Sequence, residues 1–368
     1  MDKRVKSIFG DYAANLQVLV DESLENFKTP FFPSYFSFGT PKGDLSYATA
    51  IGRSRIEAAA SVVAHGSESP LRGRAGLEKL SGEVAALKVK RKMDESEYRN
   101  WMVFQGMPVA EETKKQQIIR LIWDDVKHVV DSVNSRIDIM VKQALSTGVV
   151  AINAATNPDG VAVGNISMLI NANRNTGFGT AFGGTAQHLW NDTPTAIGTA
   201  GLDGATPIDD IATMVSFMEN QGREVGRVMM TPAKFRTISR YNSVTRALGA
   251  QPTLGEFNNY LSDRQLPIIE LVVGRHTIET NGNLTVLTPW ADSQVTFAPS
   301  GQLGIIHNAM AIEEMTPVAG VSYALSNRTL VSKWSETEPF GEYTRGEIAA
   351  FPGLEAADGL YIVNVEAV

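Results

Sequence analysis

Apolar residues between Ile118 and Ala144 keep one rhythm. They fall at Ile118, Ile122, Val126, Val129, Val133, Ile137, Met140 and Ala144, in steps of 4, 4, 3, 4, 4, 3 and 4. The pattern repeats every 11 residues, about 3.67 per turn, so an apolar stripe runs nearly straight along a helix. A sustained repeat of about 3.5 would instead supercoil left-handed. Ile119, Val130 and Val141 widen the stripe enough to cover a sheet. Asp124, Asp125, Lys127, Asp131, Asp138 and Lys142 are expected on the solvated side. With a start near Glu111 and a stop at Gly148, the predicted helix spans about 37 residues, roughly 55 Å. That exceeds the about 8–20 residues usual in globular proteins.

The flanking patterns are different. Residues 1–50 read as an arm, with a short amphipathic helix over Tyr12–Phe27 followed by "KTPFFPSYFSFGTP". Proline disfavours helix and central strand, so Phe31, Phe32, Tyr35 and Phe36 belong to an extended segment. Such a segment lies on its own core or docks on a neighbouring copy, because exposed it would be adhesive. Residues 51–100 are polar and glycine-punctuated. "EVAALKVKRKM" alternates as a strand does, yet its apolar content is low, so a projecting two-stranded loop is expected rather than a core element.

After the long helix, "VVAINAATNPDGVAVGNISMLIN" predicts short strands around a Pro-Asp-Gly turn. "TPIDDIATMVSFMENQGREV" predicts a helix with Thr206 at the N-cap and Pro207 in first position. "GRVMMT" is a short buried strand, "TPAKFRTISRY" and "LGEFNNYLSDRQLP" are helices, and "IIELVVG" is a strand. "HTIETNGNLTVLT" is a hairpin around Asn281-Gly282. "SGQLGIIHNA" leads into a strand, and "TLVSKW", "GEYTRGEIAAFPGL" and "GLYIVNVEAV" are strands that would pair beneath the long helix.

Composition narrows the function classes. The chain has 368 residues, 43% hydrophobic and 20% charged, which suits two domains or one with large insertions. A net charge of −7 argues against a protein whose main task is gripping nucleic acid. Cysteine is absent, which excludes disulfides, thiolate metal sites and cysteine nucleophiles. No signal peptide and no apolar run of about 20 residues is visible, so no membrane partner is expected.

Chemistry is sparse. His65, His128, His188, His276 and His307 form no H-x-H or H-x-x-x-H pair, so no metal is expected. His128 reads as a partly exposed helix residue. "GFGTAFGG" matches neither a dinucleotide fingerprint nor a P-loop, and no G-x-S-x-G occurs. Asp209 and Asp210 sit in a first helical turn, where the helix dipole accounts for them. Catalytic residues and cofactors are therefore expected to be none. The one strong charge feature is basic: Arg72, Arg74, Lys79, Lys88, Lys90, Arg91 and Lys92. It reads as a solvated hairpin, as a contact with an acidic patch on another chain, or as a nucleic-acid contact.

In order, these pieces resemble a known family. "RIDIMVKQALSTGVV", "LWNDTPTAIGTAGLDGATPIDDI", "VMMTPAKFRTI", "VLTPWADSQVTFAPSGQLGI" and "SKWSETEPFGEYTRGEIAAFPGL" look like words of the tailed-phage major capsid proteins. These have the Hong Kong 97 fold, here of the phage lambda major capsid protein E type. The match runs over residues 50–368 and is weaker before them. The resemblance implies an α+β fold with an N-terminal arm (1–50) and an extended β-hairpin loop (51–100). It implies a peripheral domain (101–170 and 316–368) whose spine helix lies on a β-sheet, and an α/β axial domain (171–315). It further implies a non-enzymatic protein of the virion that assembles in the host cytoplasm. Its hexamers and pentamers would build an icosahedral shell enclosing double-stranded DNA without sequence-specific binding. The implied partners are itself, a separate scaffolding protein and a portal; a decoration protein is common in the lambda type, with no residue of this chain pointing to one. Arg72, Arg74, Lys79, Lys88, Lys90, Arg91, Phe31, Phe32, Tyr35 and Phe36 are the expected inter-subunit contacts. The alternatives are a nanocompartment shell protein of the same fold, or an α/β enzyme with a site near residues 171–194.

Overall fold

The structure is a computed structural model of the whole chain. It describes residues 4–10, 15–22, 27–52, 77–108, 110–160, 163–167, 174–176, 189–190, 205–280, 282–338 and 340–366. From the N terminus the chain forms β1 (Arg4–Val5), α1 (Leu16–Glu22), β2 (Phe36–Phe38), β3 (Ser46–Gly52), β4 (Leu77–Glu83) and β5 (Ala85–Met93). Then come α2 (Glu95–Gln105), α3 (Glu111–Thr147), β6 (Val149–Ile152), β7 (Gly164–Ser167) and β8 (Arg174–Thr176). The next stretch holds α4 (Pro207–Glu219), β9 (Arg227–Met230), α5 (Pro232–Ile238), α6 (Asn242–Leu248), α7 (Leu254–Asp263) and β10 (Ile268–Leu271). Last come β11 (His276–Thr280), β12 (Asn283–Leu287), β13 (Gln294–Ala298), β14 (Gly304–Ala309), α8 (Ile312–Met315), β15 (Ser322–Ser326), β16 (Thr329–Thr337), β17 (Phe340–Leu354) and β18 (Tyr361–Asn364).

The spine helix α3 is the predicted rod. Glu111 and Glu112 lie in its first turn, where negative charge is favoured, and Gly148 closes it with a φ of 70° and its N–H on Ala144 O. All eight residues of the predicted stripe are buried. They lie chiefly on β17, where Gly346 lets the strand approach closely. A Cβ at Gly346 would come within 3.1 Å of Val129 Cβ and Val129 O.

Two sheets organise the described residues. The larger runs β1-β16-β17-β14-β2, with β15 also on β16 and β5 also on β17. The smaller runs β10-β9-β13-β18-β8. Helices α4, α5 and α7 cover the smaller sheet: Ile211, Met214, Phe235, Ile238 and Phe257 pack with Val228, Met230, Val295 and Phe297. Thr253 and Glu256 start α7 with a reciprocal capping box. This architecture is α+β.

Several expectations change. "EVAALKVKRKM" is not part of a projecting loop: β5 pairs with β17 over its whole length, Ala85 opposite Ala350 through Met93 opposite Glu342. The apolar stems of its lysines help cover the sheet, which is why so charged a strand is tolerated there. The separate two-stranded pair is β3–β4, joined from Ser46–Glu83 to Gly52–Leu77. Its root is Tyr47, stacked on Phe351 at 5.0 Å. The expected boundary between residues 315 and 316 does not follow the sheets, since β14 belongs to the larger one and β18 to the smaller one. The arm is stitched into its own subunit through β1 on β16 and β2 on β14. Of the helix expected over Tyr12–Phe27, Leu16–Glu22 is helical, residues 12–14 and 23–26 lying outside the described residues, and α2 and α6 had no counterpart among the expected elements. On α3, Asp125, Asp138 and Lys142 are buried rather than solvated, and Ile119 is 40% exposed rather than part of the stripe.

Candidate assembly surfaces and the buried charges behind them

The arm's aromatics turn inward. Lys28 N–H donates to Asp131 Oδ1 at 3.0 Å, and the N–H groups of Phe31 and Phe32 both donate to the Asp138 carboxylate at 2.9 Å. One side chain of the spine helix thereby satisfies two amides of the arm, as an N-capping carboxylate would. Phe32 and Phe36 are buried, and Phe31 is half-buried. Tyr35 is buried with its hydroxyl donating to Glu270 Oε2 at 2.8 Å, and Arg227 lies 5.2 Å from its ring centroid. Burial, followed by the bond to Glu270, pushes the Tyr35 phenol up from its ordinary value. Of the four expected contact aromatics, Phe32, Tyr35 and Phe36 thus spend their surface on their own subunit. Pro33, Ser34 and Ser37 are what this turn presents outward.

The basic cluster divides. Arg72 and Arg74 lie outside the described residues, and Lys79 sits on β4. On β5, Lys88 Nζ meets Glu347 Oε1 at 2.6 Å, Lys90 Nζ lies 4.6 Å from the Tyr343 ring centroid, and Arg91 Nε meets Asp125 Oδ1 at 3.3 Å. These charges are matched within the subunit, and their exposed heads form a basic edge along the larger sheet.

Two buried charge clusters, missed in the sequence, lie along the spine helix. In the first, Lys333 is 0% exposed, with Nζ 3.8 Å from both Asp125 Oδ2 and Glu342 Oε1 and 2.8 Å from Thr344 Oγ1. Glu342 also accepts from Ser7 Oγ and Ile8 N–H, and the Phe9 ring covers Lys333 at 5.3 Å. Burial lowers the Lys333 ammonium and raises the Asp125 and Glu342 carboxyls, each opposed by the attraction of its partners. In the second, Lys142 is 4% exposed. Its Nζ donates to Val273 O at 2.8 Å and lies 2.7 Å from His276 Nε2. His276 Nδ1 is 3.1 Å from Ser135 Oγ. Burial, then the nearby cations Lys142, Lys28 and Arg136, bring the His276 imidazole down to about 4. Burial raises the Asp138 carboxyl and lowers the Lys142 ammonium.

A third cluster joins α4 and α5 to the chain that follows β18. Trp190 Nε1 donates to Asp210 Oδ2 at 2.8 Å, and Lys234 Nζ donates to Trp190 O at 3.0 Å and to Glu366. Asp210 is therefore buried and bonded, beyond the dipole effect expected for it.

Outward-facing apolar side chains occur at several places, among them the end of α2, with Met102 and Val103, and hairpin β11–β12. Leu284 is 73% and Val286 67% exposed, and they share a face with Glu279 and Thr277 opposite them. Ile268, Val273, Ile312 and Met315 are also exposed. Among the described residues no group of three or more His, Cys, Asp or Glu has metal-holding geometry, and no helix is long and apolar enough to cross a membrane. Residues 171–194, the alternative enzyme site, lie outside the described residues except 174–176 and 189–190.

No protein-family model matches the sequence, and no curated protein matches it either. Solved structures do. A protein assigned as the capsid protein of an Escherichia coli CFT073 prophage is similar over 99% of this chain and 100% of its own, at 12% identity and a TM-score of 0.57. A phage-related protein of Bordetella bronchiseptica RB50 covers 99% of this chain with 98% of its own, at 11% identity and a TM-score of 0.48. The mature capsid protein of bacteriophage PhiM1 covers 93% with 89% of its own, at 12% identity and 0.43. The chain has the tailed-phage capsid fold, the Hong Kong 97 fold, as the resemblance in its sequence implied.

Proposed function

We propose that this chain is a structural shell protein: a major capsid protein that self-assembles into hexamers and pentamers around double-stranded DNA. The observation that carries the reading is the capsid fold itself, together with apolar side chains left facing solvent. Strands β3 and β4 form a two-stranded sheet of their own beside the larger one, and hairpin β11–β12 offers Leu284 and Val286 to solvent. Exposed apolar faces favour contacts with other chains, and repeated heterologous contacts close into rings. The acidic net charge suits a wall beside packed DNA, because it does not hold the nucleic acid.

Under this reading the basic edge of β5 and the β3–β4 hairpin meet neighbouring subunits. A separate scaffolding protein and a portal act during assembly in the host cytoplasm, and the finished protein resides in the virion. The double substitution Leu284→Asp with Val286→Asp tests the hairpin's part. The variant is expected to keep the wild-type circular dichroism and melting temperature while its rings and shells disappear in sedimentation. Normal shells from the variant would remove the hairpin from the assembly interface.

A further inference from the structure

We propose that His276 is the acid-sensitive pin of a latch that holds both the aromatic arm turn and hairpin β11–β12 against the C-terminal half of the spine helix. The geometry carries this. Lys142 has an Nζ 2.7 Å from His276 Nε2, and an ammonium has only donors, so that nitrogen must accept. The other ring nitrogen then donates to Ser135 Oγ, 3.1 Å away. The imidazole is therefore held neutral as its Nδ1–H tautomer.

The pin joins two segments. His276 is the first residue of β11, and Lys142 also bonds Val273 O at the hairpin's root. One helical turn before Lys142, Asp138 holds the amides of Phe31 and Phe32, and the Phe31 ring lies 4.9 Å from Lys142 Nζ. A proton on Nε2 removes the acceptor and sets two cations face to face in a buried site. The charged groups around it are Lys142 and Arg136 of the spine helix and Lys28 of the arm, all repelling a protonated ring. Asp138 is the nearby counter-charge, and it is already bonded to the arm amides. Relief comes by moving the hairpin, the arm turn, or both away from the helix. The inference concerns a single subunit and does not depend on the shell reading.

The test pairs two readouts. NMR of labelled histidines follows all five imidazoles from neutral to acid pH, the His276 signal being assigned by its loss in His276→Gln. Hydrogen exchange, corrected for its intrinsic pH dependence, follows residues 27–38 and 273–287, with β16–β17 as the internal reference. His276 is expected to titrate near 4, well below the ordinary 6.5. Exchange of both segments should rise together as pH falls from about 6.5 to about 4, by up to about tenfold per unit of pH, and level off below that, while β16–β17 stays protected. His276→Gln, which keeps an acceptor and cannot take the proton, should abolish the acid step. If that variant does not fold, Lys142→Met serves: His276 should titrate at higher pH, and the acid opening should weaken and move to higher pH with it, burial and the cations Lys28 and Arg136 still opposing the proton. Titration of wild-type His276 near 6.5, opening of all segments at once, or an unchanged acid step in the variants overturns the latch.

Discussion

The two halves of the spine helix do different work. From Ile118 to Val130 its apolar face packs with Leu16, Val20, Phe9, Met93 and Val331, while Asp124 and His128 remain exposed. From Val133 to Leu145 it is buried nearly all round, against Phe32, Phe36, Val272, Trp290, Phe351 and Leu360. There Leu145 O accepts from Thr296 Oγ1 of the smaller sheet, and Ser146 Oγ donates to Pro289 O. The first half is a beam on one sheet. The second is the joint where the arm, both sheets and the β11–β12 hairpin converge. A single rhythm of apolar residues serves both because a straight stripe meets whichever core lies beneath it. Polar groups on the other side are tolerated at the joint only by being bonded, Asp138 to the arm and Lys142 to the hairpin.

Substitutions sharpen this contrast, beginning with the largest expected effect. Lys333→Met removes the cation between Asp125 and Glu342 and should cost about 3–5 kcal/mol in urea denaturation, as breaking a buried charge network does. Retention of wild-type stability would mean that the cluster is solvated. Ile137→Ala at the joint should cost about 2–5 kcal/mol. Asp138→Ala leaves the Phe31 and Phe32 amides without their acceptor and should cost about 1–3 kcal/mol, with faster amide exchange confined to the arm turn. On the beam, Ile119→Ala and Asp124→Ala should each stay within about 0.5 kcal/mol of wild type. Equal losses at Ile119 and Ile137 would erase the distinction between beam and joint.

Acid sharpens it differently. The folded His276 titrates below its unfolded value, so the folded state prefers the neutral ring. That contribution to stability is full above about 6.5 and declines as pH falls towards about 4. The urea midpoint should therefore fall on acidification over this range, and fall less in His276→Gln.

The long helix was legible because its apolar rhythm lasts nearly eight turns and Gly148 stops it. The same rhythm misplaced Asp138 and Lys142, since helix period reports which face meets the first layer and says nothing of a second layer arriving from residues 28–36 and 272–276. β5 was misjudged for a related reason: Lys88, Lys90 and Lys92 count as polar in a pattern, yet long stems lie along a sheet while their heads reach Glu347, Tyr343 and Asp94. β14 and β18 exchange sheets through pairings of distant strands, which local pattern does not encode. The arm aromatics were expected at inter-subunit contacts, whereas Phe32, Tyr35 and Phe36 pack on their own core, the other place weighed for them. His276 offered no motif at all, because its partners Ser135 and Lys142 lie more than 130 positions away in the chain. The basic loop positions Arg72 and Arg74 lie outside the described residues.

The central claim, a chain built to assemble, is tested most directly by electron microscopy of the purified protein across a concentration series. The account predicts five- and six-membered rings, tubes or closed shells. A protein that stays monomeric at every concentration and binds a small ligand near residues 171–194 would contradict it.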